Sequence, residues 1–337
     1  MDLTLTDEQQ LVQATAREFL TGRAGTDKAD LWQQIVELGW PGLAVPEAHG
    51  GIGSEFLDAC LLAEELGRAG VATPFVPTAA GAATIARFGT EEQKQEWLAG
   101  VVDGRAIGHV PTGPGSDVAR DGSVLNGRAL FVPFAEEAAE LLVAAAGALV
   151  DGGTSGITLD RLDVVGNEPV YAVTFDKVAV PAERSLPEPE TAVDAMTAYA
   201  TVLTCAEMVG GAQAVLDLTV EYAGQRRQFD QPIGVFQAVQ HHCANMAIDV
   251  LGSRFATYEA AWRLGADTAA PMAVSTAKAV VSDAYQRVCA LGHQVHGAIG
   301  FTAEHELHRY LRHATAAALG YGDADFHLDR LATRLGL

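Results

Sequence analysis

Leu11, Val12, Ala16, Phe19 and Leu20 recur at the intervals of one helix face, and Thr6 followed by Gln9 has capping-box spacing, so the pattern predicts a first helix over residues 7–21. The same periodicity predicts helices over 32–38, 56–70, 78–88 and 91–98, the last with Thr90 as its N-cap. Between them, the Gly- and Pro-rich residues 39–53 read as loop, with Gly50 to Gly53 as a turn. From 103 to 184 the pattern changes to short apolar or alternating runs at 130–132, 141–144, 156–159, 170–175 and 178–180, broken by Gly, Pro, Asp and Asn, as strands are. Beyond 192 the helical period returns in long segments, 192–226, 236–265 and 270–292, followed by shorter helices. The chain therefore reads as mainly α with a central β domain: an N-terminal helical domain (1–103), a small β-barrel-like domain (104–185) and a C-terminal bundle (186–337). Helices of roughly 25 to 30 residues packed antiparallel imply a four-helix bundle whose seams continue into subunit contacts.

Charge narrows the range of partners. With 22 Lys and Arg against 43 Asp and Glu, a net charge of −21 repels phosphate backbones and anionic lipid, so neither nucleic acid nor a membrane surface is expected as a partner. Cys60, Cys205, Cys243 and Cys289 lie far apart, with no Cys-x-x-Cys pair, and read as buried thiols of a reducing compartment. The first residues are acidic where a signal peptide would be basic, and the apolar run 141–150 is too short to span a bilayer, so a cytoplasmic protein is expected.

Several separated motifs carry a resemblance that spans the chain. They are Gly39-Trp40-Pro41-Gly42-Leu43 leading to Val45-Pro46-Glu47, then Phe88-Gly89-Thr90-Glu91-Glu92-Gln93-Lys94, then Phe175-Asp176-Lys177-Val178 to Val180-Pro181-Ala182-Glu183-Arg184. The most specific are Arg226-x-x-Phe229 with Pro232-Ile233-Gly234-x-Phe236-Gln237, and Gln294-Val295-His296-Gly297-Ala298-Ile299-Gly300-Phe301. In this order and spacing they resemble the acyl-CoA dehydrogenases, flavoproteins with the same succession of domains. The resemblance implies FAD as cofactor, an acyl-CoA as substrate and an electron-transfer acceptor as partner. It also implies that Arg226, Phe229, Phe236, Gln237, Gln294, Gly297 and Ala298 hold the ADP half of FAD across a subunit interface. The chemistry is suitable: a guanidinium pairs bidentately with pyrophosphate, and an aromatic ring lies beside the adenosine. The chain departs from the family pattern at Ala298 and Asp230, which stand where glycines are usual.

The family's base is a carboxylate that takes the α-proton of the thioester while the β-hydrogen leaves as hydride to the flavin. The resemblance places it at one of two positions, which here are Tyr321 and Ala200, and neither is an acid. The substitutes are weak. Glu207 lies two turns past Ala200, roughly 10 Å along the axis at about 1.5 Å per residue, and Asp323 is suited to cap a helix beginning at Ala324. The flavin-side motifs are also altered, to Pro111-Thr112-Gly113-Pro114-Gly115-Ser116-Asp117 and Phe131-Val132-Pro133, and a proline offers no amide to a flavin edge.

The asymmetry resembles the base-lacking chains of hetero-oligomeric acyl-CoA dehydrogenases of sterol degradation, and implies a homologous dehydrogenase subunit as partner. Two other readings stand beside it: a self-sufficient homo-oligomeric acyl-CoA or acyl-carrier-protein dehydrogenase with Glu207 or Asp323 as a displaced base, and a scaffold without flavin chemistry. His241, His242, His305 and His308 invite a metal reading, but no third ligand follows at metal-site spacing, so no metal is expected. His305 and His308 read as sharing a helical face.

Overall fold

The computed structural model describes residues 4–23, 25–266 and 270–337. Helix α1 (Asp7–Leu20) opens on the expected capping box, in which Thr6 Oγ accepts from the Gln9 amide at 3.2 Å and Gln9 Oε1 accepts from the Thr6 amide at 3.1 Å. Helix α2 (Lys28–Glu37) starts earlier than the apolar periodicity suggests, because Asp27 caps it ahead of its first apolar face residue. Helices α3 (Phe56–Ala69), α4 (Phe75–Phe88) and α5 (Glu91–Val102) follow, with a second capping box at Thr90 and Gln93. The turn before α3 needs its glycines: a Cβ on Gly51 would lie 2.1 Å from the Val45 carbonyl oxygen.

Two sheets make the β region. One has β1 (Ala106–Val110) parallel to β4 (Ala138–Val143), and β4 antiparallel to β5 (Ala148–Asp151). The other, antiparallel throughout, is ordered β2 (Ala119–Asp121), β3 (Val124–Pro133), β7 (Val170–Ala179), β6 (Ile157–Leu162). Leu125, Val132, Val143, Phe175 and Val178 belong to the core they share. The periodicity did not indicate β1, whose five residues are all buried and so do not alternate. The runs at 170–175 and 178–180 form a single strand, β7, which passes through Lys177 at φ +54°; the Asn126 side chain accepts from the Lys177 amide at 3.0 Å. The apolar run 141–150 is the β4–β5 hairpin.

The C-terminal part is built on α6 (Pro189–Gln225), which packs against α3 and α4. It also packs against α7 (Gln237–Gly265), α8 (Ala270–His296) and α9 (Leu307–Leu319). A short hairpin, β8 (Arg227–Gln228) and β9 (Gln231–Pro232), joins α6 to α7, and α10 (Ala324–Leu335) packs on α8. Helices α3 and α6 cross at backbone contact: a Cβ on Gly67 would sit 2.0 Å from the Glu207 carbonyl oxygen, and one on Gly210 would sit 1.8 Å from that of Glu64. Helix α8 continues past Gly292, where the sequence pattern ended it. Gly292 is a packing glycine, since its Cβ would meet Val215 at 2.8 Å, and the helix stops at Gly297, φ +67°.

Cys60, Cys205 and Cys289 are buried thiols, and Cys243 is half-buried. Among the described residues, no helix is long and apolar enough to cross a membrane.

Candidate functional site

One end of the bundle gathers the motifs expected to meet the ADP half of FAD. Arg226 is the C-cap of α6, and the next residues form the β8–β9 hairpin, whose two-residue turn is Phe229 at φ +51° and Asp230 at φ +64°. Both positive φ values fit a type I′ turn. This accounts for the glycine usual at position 230, and Asp is among the residues that best tolerate the left-handed region. The turn projects Phe229, 87% exposed, with Phe236 edge-on at 6.2 Å. Phe236 caps α7 without a side-chain hydrogen bond, so the first amides of α7, beginning at Gln237, face outward as an anion-receptive helix end.

Tyr222 on the last turns of α6 stacks on His296 at 4.4 Å, which brings the end of α8 beside this hairpin. There Gln294 and Ala298 are exposed, and Gly297 faces open space. The side chain of Arg226 is exposed as well. An exposed guanidinium, an exposed ring, a bare glycine and free amides at a helix end suit the anionic and aromatic ADP half of FAD. His305 precedes α9 instead of sharing a helix face with His308. Its Nδ1 accepts from the Leu307 amide at 3.1 Å, and His308 Nδ1 lies 2.6 Å from its carbonyl oxygen.

The two positions where the resemblance expects the base look different. Ala200 is completely buried in α6. Tyr321, at φ +59°, stacks on His109 of β1, with ring centroids 5.8 Å apart and planes 4° from parallel. Asp323 caps α10, its Oδ1 accepting from the Phe326 amide at 2.9 Å. The loop carrying Tyr321 and Asp323 is fixed from beneath. Lys278, fully buried, donates to the carbonyl oxygens of Ala317 at 3.1 Å and Ala318 at 2.9 Å at the end of α9, and burial lowers its pKa to about 8. His327 Nε2 lies 3.1 Å from the Tyr321 carbonyl oxygen.

Glu207 is not isolated. A carboxylate oxygen of Glu207 on α6, one of Glu168 on the β6–β7 connection and a ring nitrogen of His313 on α9 lie within 4.8 Å of one another. Burial, followed by the like charge of Glu168, pushes Glu207 well above the usual carboxylate range, and burial pushes Glu168 up as well. Burial alone lowers His313 to about 4. The connection that delivers Glu168 is strapped down. Lys28 Nζ donates to the Asn167 carbonyl oxygen at 3.1 Å, Arg312 to those of Val165 at 2.8 Å and Gly166 at 3.2 Å, and Asn167 Nδ2 to that of Arg309 at 2.8 Å. Beside it opens a cavity of about 570 Å³ lined by Arg161, Asn167, Glu168, Arg309 and Arg312. Sequence reasoning missed Glu168, His313 and His109. Each stands on a separate element, and no motif or spacing in the sequence groups them.

On the flavin side, Phe131 is 60% exposed at φ +62°, Pro133 lacks an amide hydrogen, and Ser116 Oγ is buried without a hydrogen-bond partner.

Burial alone holds His109 to about 4, with both ring nitrogens buried and unpaired. The folded pKa lies below the unfolded value, so the unfolded chain binds a proton that the folded chain refuses between pH ~6.5 and ~4. Stability from this group is therefore complete above pH ~6.5 and lost as pH falls toward 4. Glu168 and Glu207, raised, act with the opposite sign. Comparing urea unfolding of wild type and H109Q isolates the histidine: between pH 7 and pH 4 the variant should lose roughly 2–3 kcal/mol less than wild type. Equal losses would contradict a buried neutral imidazole.

Residues 6–105 match the acyl-CoA dehydrogenase N-terminal domain, and residues 192–336 match the acyl-CoA dehydrogenase C-terminal domain. Acyl-CoA dehydrogenase FadE27 of Mycobacterium tuberculosis is 32% identical over 330 residues, covering 91% of this chain and 88% of that protein. A chain of the ChsE4–ChsE5 complex from Mycobacterium tuberculosis superposes with a TM-score of 0.91 at 28% identity, over 100% of this chain and 99% of its own. A chain of a variant of the Tcur3481–Tcur3483 steroid ACAD gives a TM-score of 0.90 at 30% identity, over 99% of both chains. With both terminal domains matched and the fold shared end to end, the chain belongs to the acyl-CoA dehydrogenase family, whose cofactor is FAD.

Proposed function

We propose that this chain is the base-less subunit of a hetero-oligomeric acyl-CoA dehydrogenase. In that complex its Arg226–Gln237 and Gln294–Ala298 segments hold the ADP half of an FAD whose flavin lies in a homologous, base-bearing partner. One observation carries the reading: both base positions are occupied by groups that cannot serve, buried Ala200 and Tyr321, while the ADP-side residues stand exposed and ready for a ligand. Burial pushes the Tyr321 phenol still further above its ordinary value, away from use as a base near neutral pH. Asp323 is committed to its helix cap, and Glu207 is raised toward its neutral form.

In the complex, FAD supplies the hydride acceptor. The partner's carboxylate takes the α-proton, and an electron-transfer protein receives the electrons. This chain's part is to bind, with Arg226 on the pyrophosphate and Phe229 beside the adenine. An oligomer is further supported by α7, where Ile248, Leu251, Phe255 and Trp262 are 69%, 51%, 47% and 40% exposed, an apolar surface awaiting a neighbour. Two of the similar structures are named as pairs of chains, one of them a steroid ACAD, which favours a sterol-derived acyl-CoA as substrate.

The test is turnover of the co-purified complex with acyl-CoA and an artificial electron acceptor. E207Q and D323N in this chain should each change kcat by less than about threefold, whereas removal of a true general base costs about 10²-fold or more. A loss of that size from either variant, with the fold retained, overturns the reading.

A further inference from the structure

We propose that Glu168, Glu207 and His313 bind one divalent transition-metal ion of the zinc class, tying the β6–β7 connection to α6 and α9. The ligand types suit such an ion: two carboxylates and an imidazole, with a fourth position left to water from the adjoining cavity. Ligand atoms bound at about 2.1 Å to one tetrahedral ion lie about 3.4 Å apart. The three atoms lie within 4.8 Å of one another, so side-chain rotations of up to about 0.7 Å each bring them onto one ion.

The charges call for a cation. Glu207 is 7% exposed, and among the described residues neither its carboxylate nor that of Glu168 makes a hydrogen bond or a close ion pair. A buried carboxyl group on Glu207 facing the half-buried one of Glu168 is costly while both are charged, and an ion of charge +2 would neutralise both. The Tyr285 hydroxyl, 3.4 Å from His313 Nδ1, orients the ring, as outer partners of metal-bound histidines do.

The strap of Lys28 and Arg312 holds the 165–167 backbone by its carbonyl oxygens, leaving the Glu168 carboxylate free. Arg161 and Arg312 are exposed and screened by water, whereas the two carboxylates would touch the ion. The site is independent of the ADP contacts and uses a region from which the base has gone.

The experiment uses the full chain, stripped with a chelator and titrated with Zn²⁺ by calorimetry, with the visible spectrum of bound Co²⁺ as the probe of coordination. One equivalent per chain is expected. The near-isosteric E168Q and E207Q, and H313Q, should each weaken binding at least tenfold, while the double variant H305Q/H308Q leaves it unchanged. Circular dichroism confirms that each variant is folded. Absence of binding, or binding indifferent to E168Q and E207Q, overturns the proposal and leaves the carboxyl pair sharing a proton or a water. Neither result depends on flavin, so failure here is separable from failure of the subunit assignment.

Discussion

In the assembled complex, Arg226→Ala is expected to weaken FAD retention by roughly 2–3 kcal/mol, about thirtyfold to 150-fold, with no loss of folding stability. The asymmetry follows from where the residue sits. Arg226 is exposed at the end of α6, and its side chain makes no hydrogen bond among the described residues, so the fold does not lean on its charge. Its value lies in a fork of donors beside a helix end that itself attracts anions. Arg226→Lys keeps the charge but loses the bidentate geometry, and should recover only part of the loss. Fluorescence titration of the flavin-free complex with FAD reads both variants, and unchanged retention in Arg226→Ala would contradict the assignment of the ADP contact.

The largest stability effect is expected at Arg254→Ala, a loss of about 3–5 kcal/mol in urea unfolding. Glu64 on α3 is 3% exposed, and it accepts from Arg254 Nε at 3.0 Å and from the Tyr258 hydroxyl at 2.8 Å, both on α7. Removing the guanidinium leaves the buried Glu64 carboxylate with the Tyr258 hydroxyl alone, at the crossing where Gly210 of α6 touches the Glu64 backbone. Adding E64Q should recover part of the loss, because the stranded charge is then gone. The comparison is Arg287→Ala on α8, whose pair with Asp249 is half exposed on the arginine side and should cost less than about 1 kcal/mol. Equal effects would contradict the network.

Local signals were the readable ones. Thr6 with Gln9 announced α1 because a capping box is complete within four residues, and Thr90 announced α5 as its N-cap. The segments around Arg226 and Gln294 are each continuous in sequence, and the structure brings them together at one end of the bundle. The sequence could also place Asp323 as a cap, from its position before α10.

What failed to show was tertiary. Residues 106–110 are buried on both faces and carry no alternation, and Gly292 resembles a helix stop unless Val215 is known to lie against it. Glu207 could be measured only against Ala200 along one helix. Its meeting with Glu168 and His313 depends on three elements converging, and no spacing in the chain encodes that. The positive φ of Asp230 explains why glycine is usual there, and the departure is tolerated because Asp enters the left-handed region more readily than most residues.

The measurement that tests the central claim most directly is flavin absorbance per mole of chain, on protein made alone and then co-expressed with a homologous base-bearing subunit. The account predicts almost no FAD alone and half an equivalent per chain in the complex, that is, one FAD for each pair of unlike chains. A full equivalent bound by the chain alone, together with oxidation of an acyl-CoA, would contradict it and return the base to this chain.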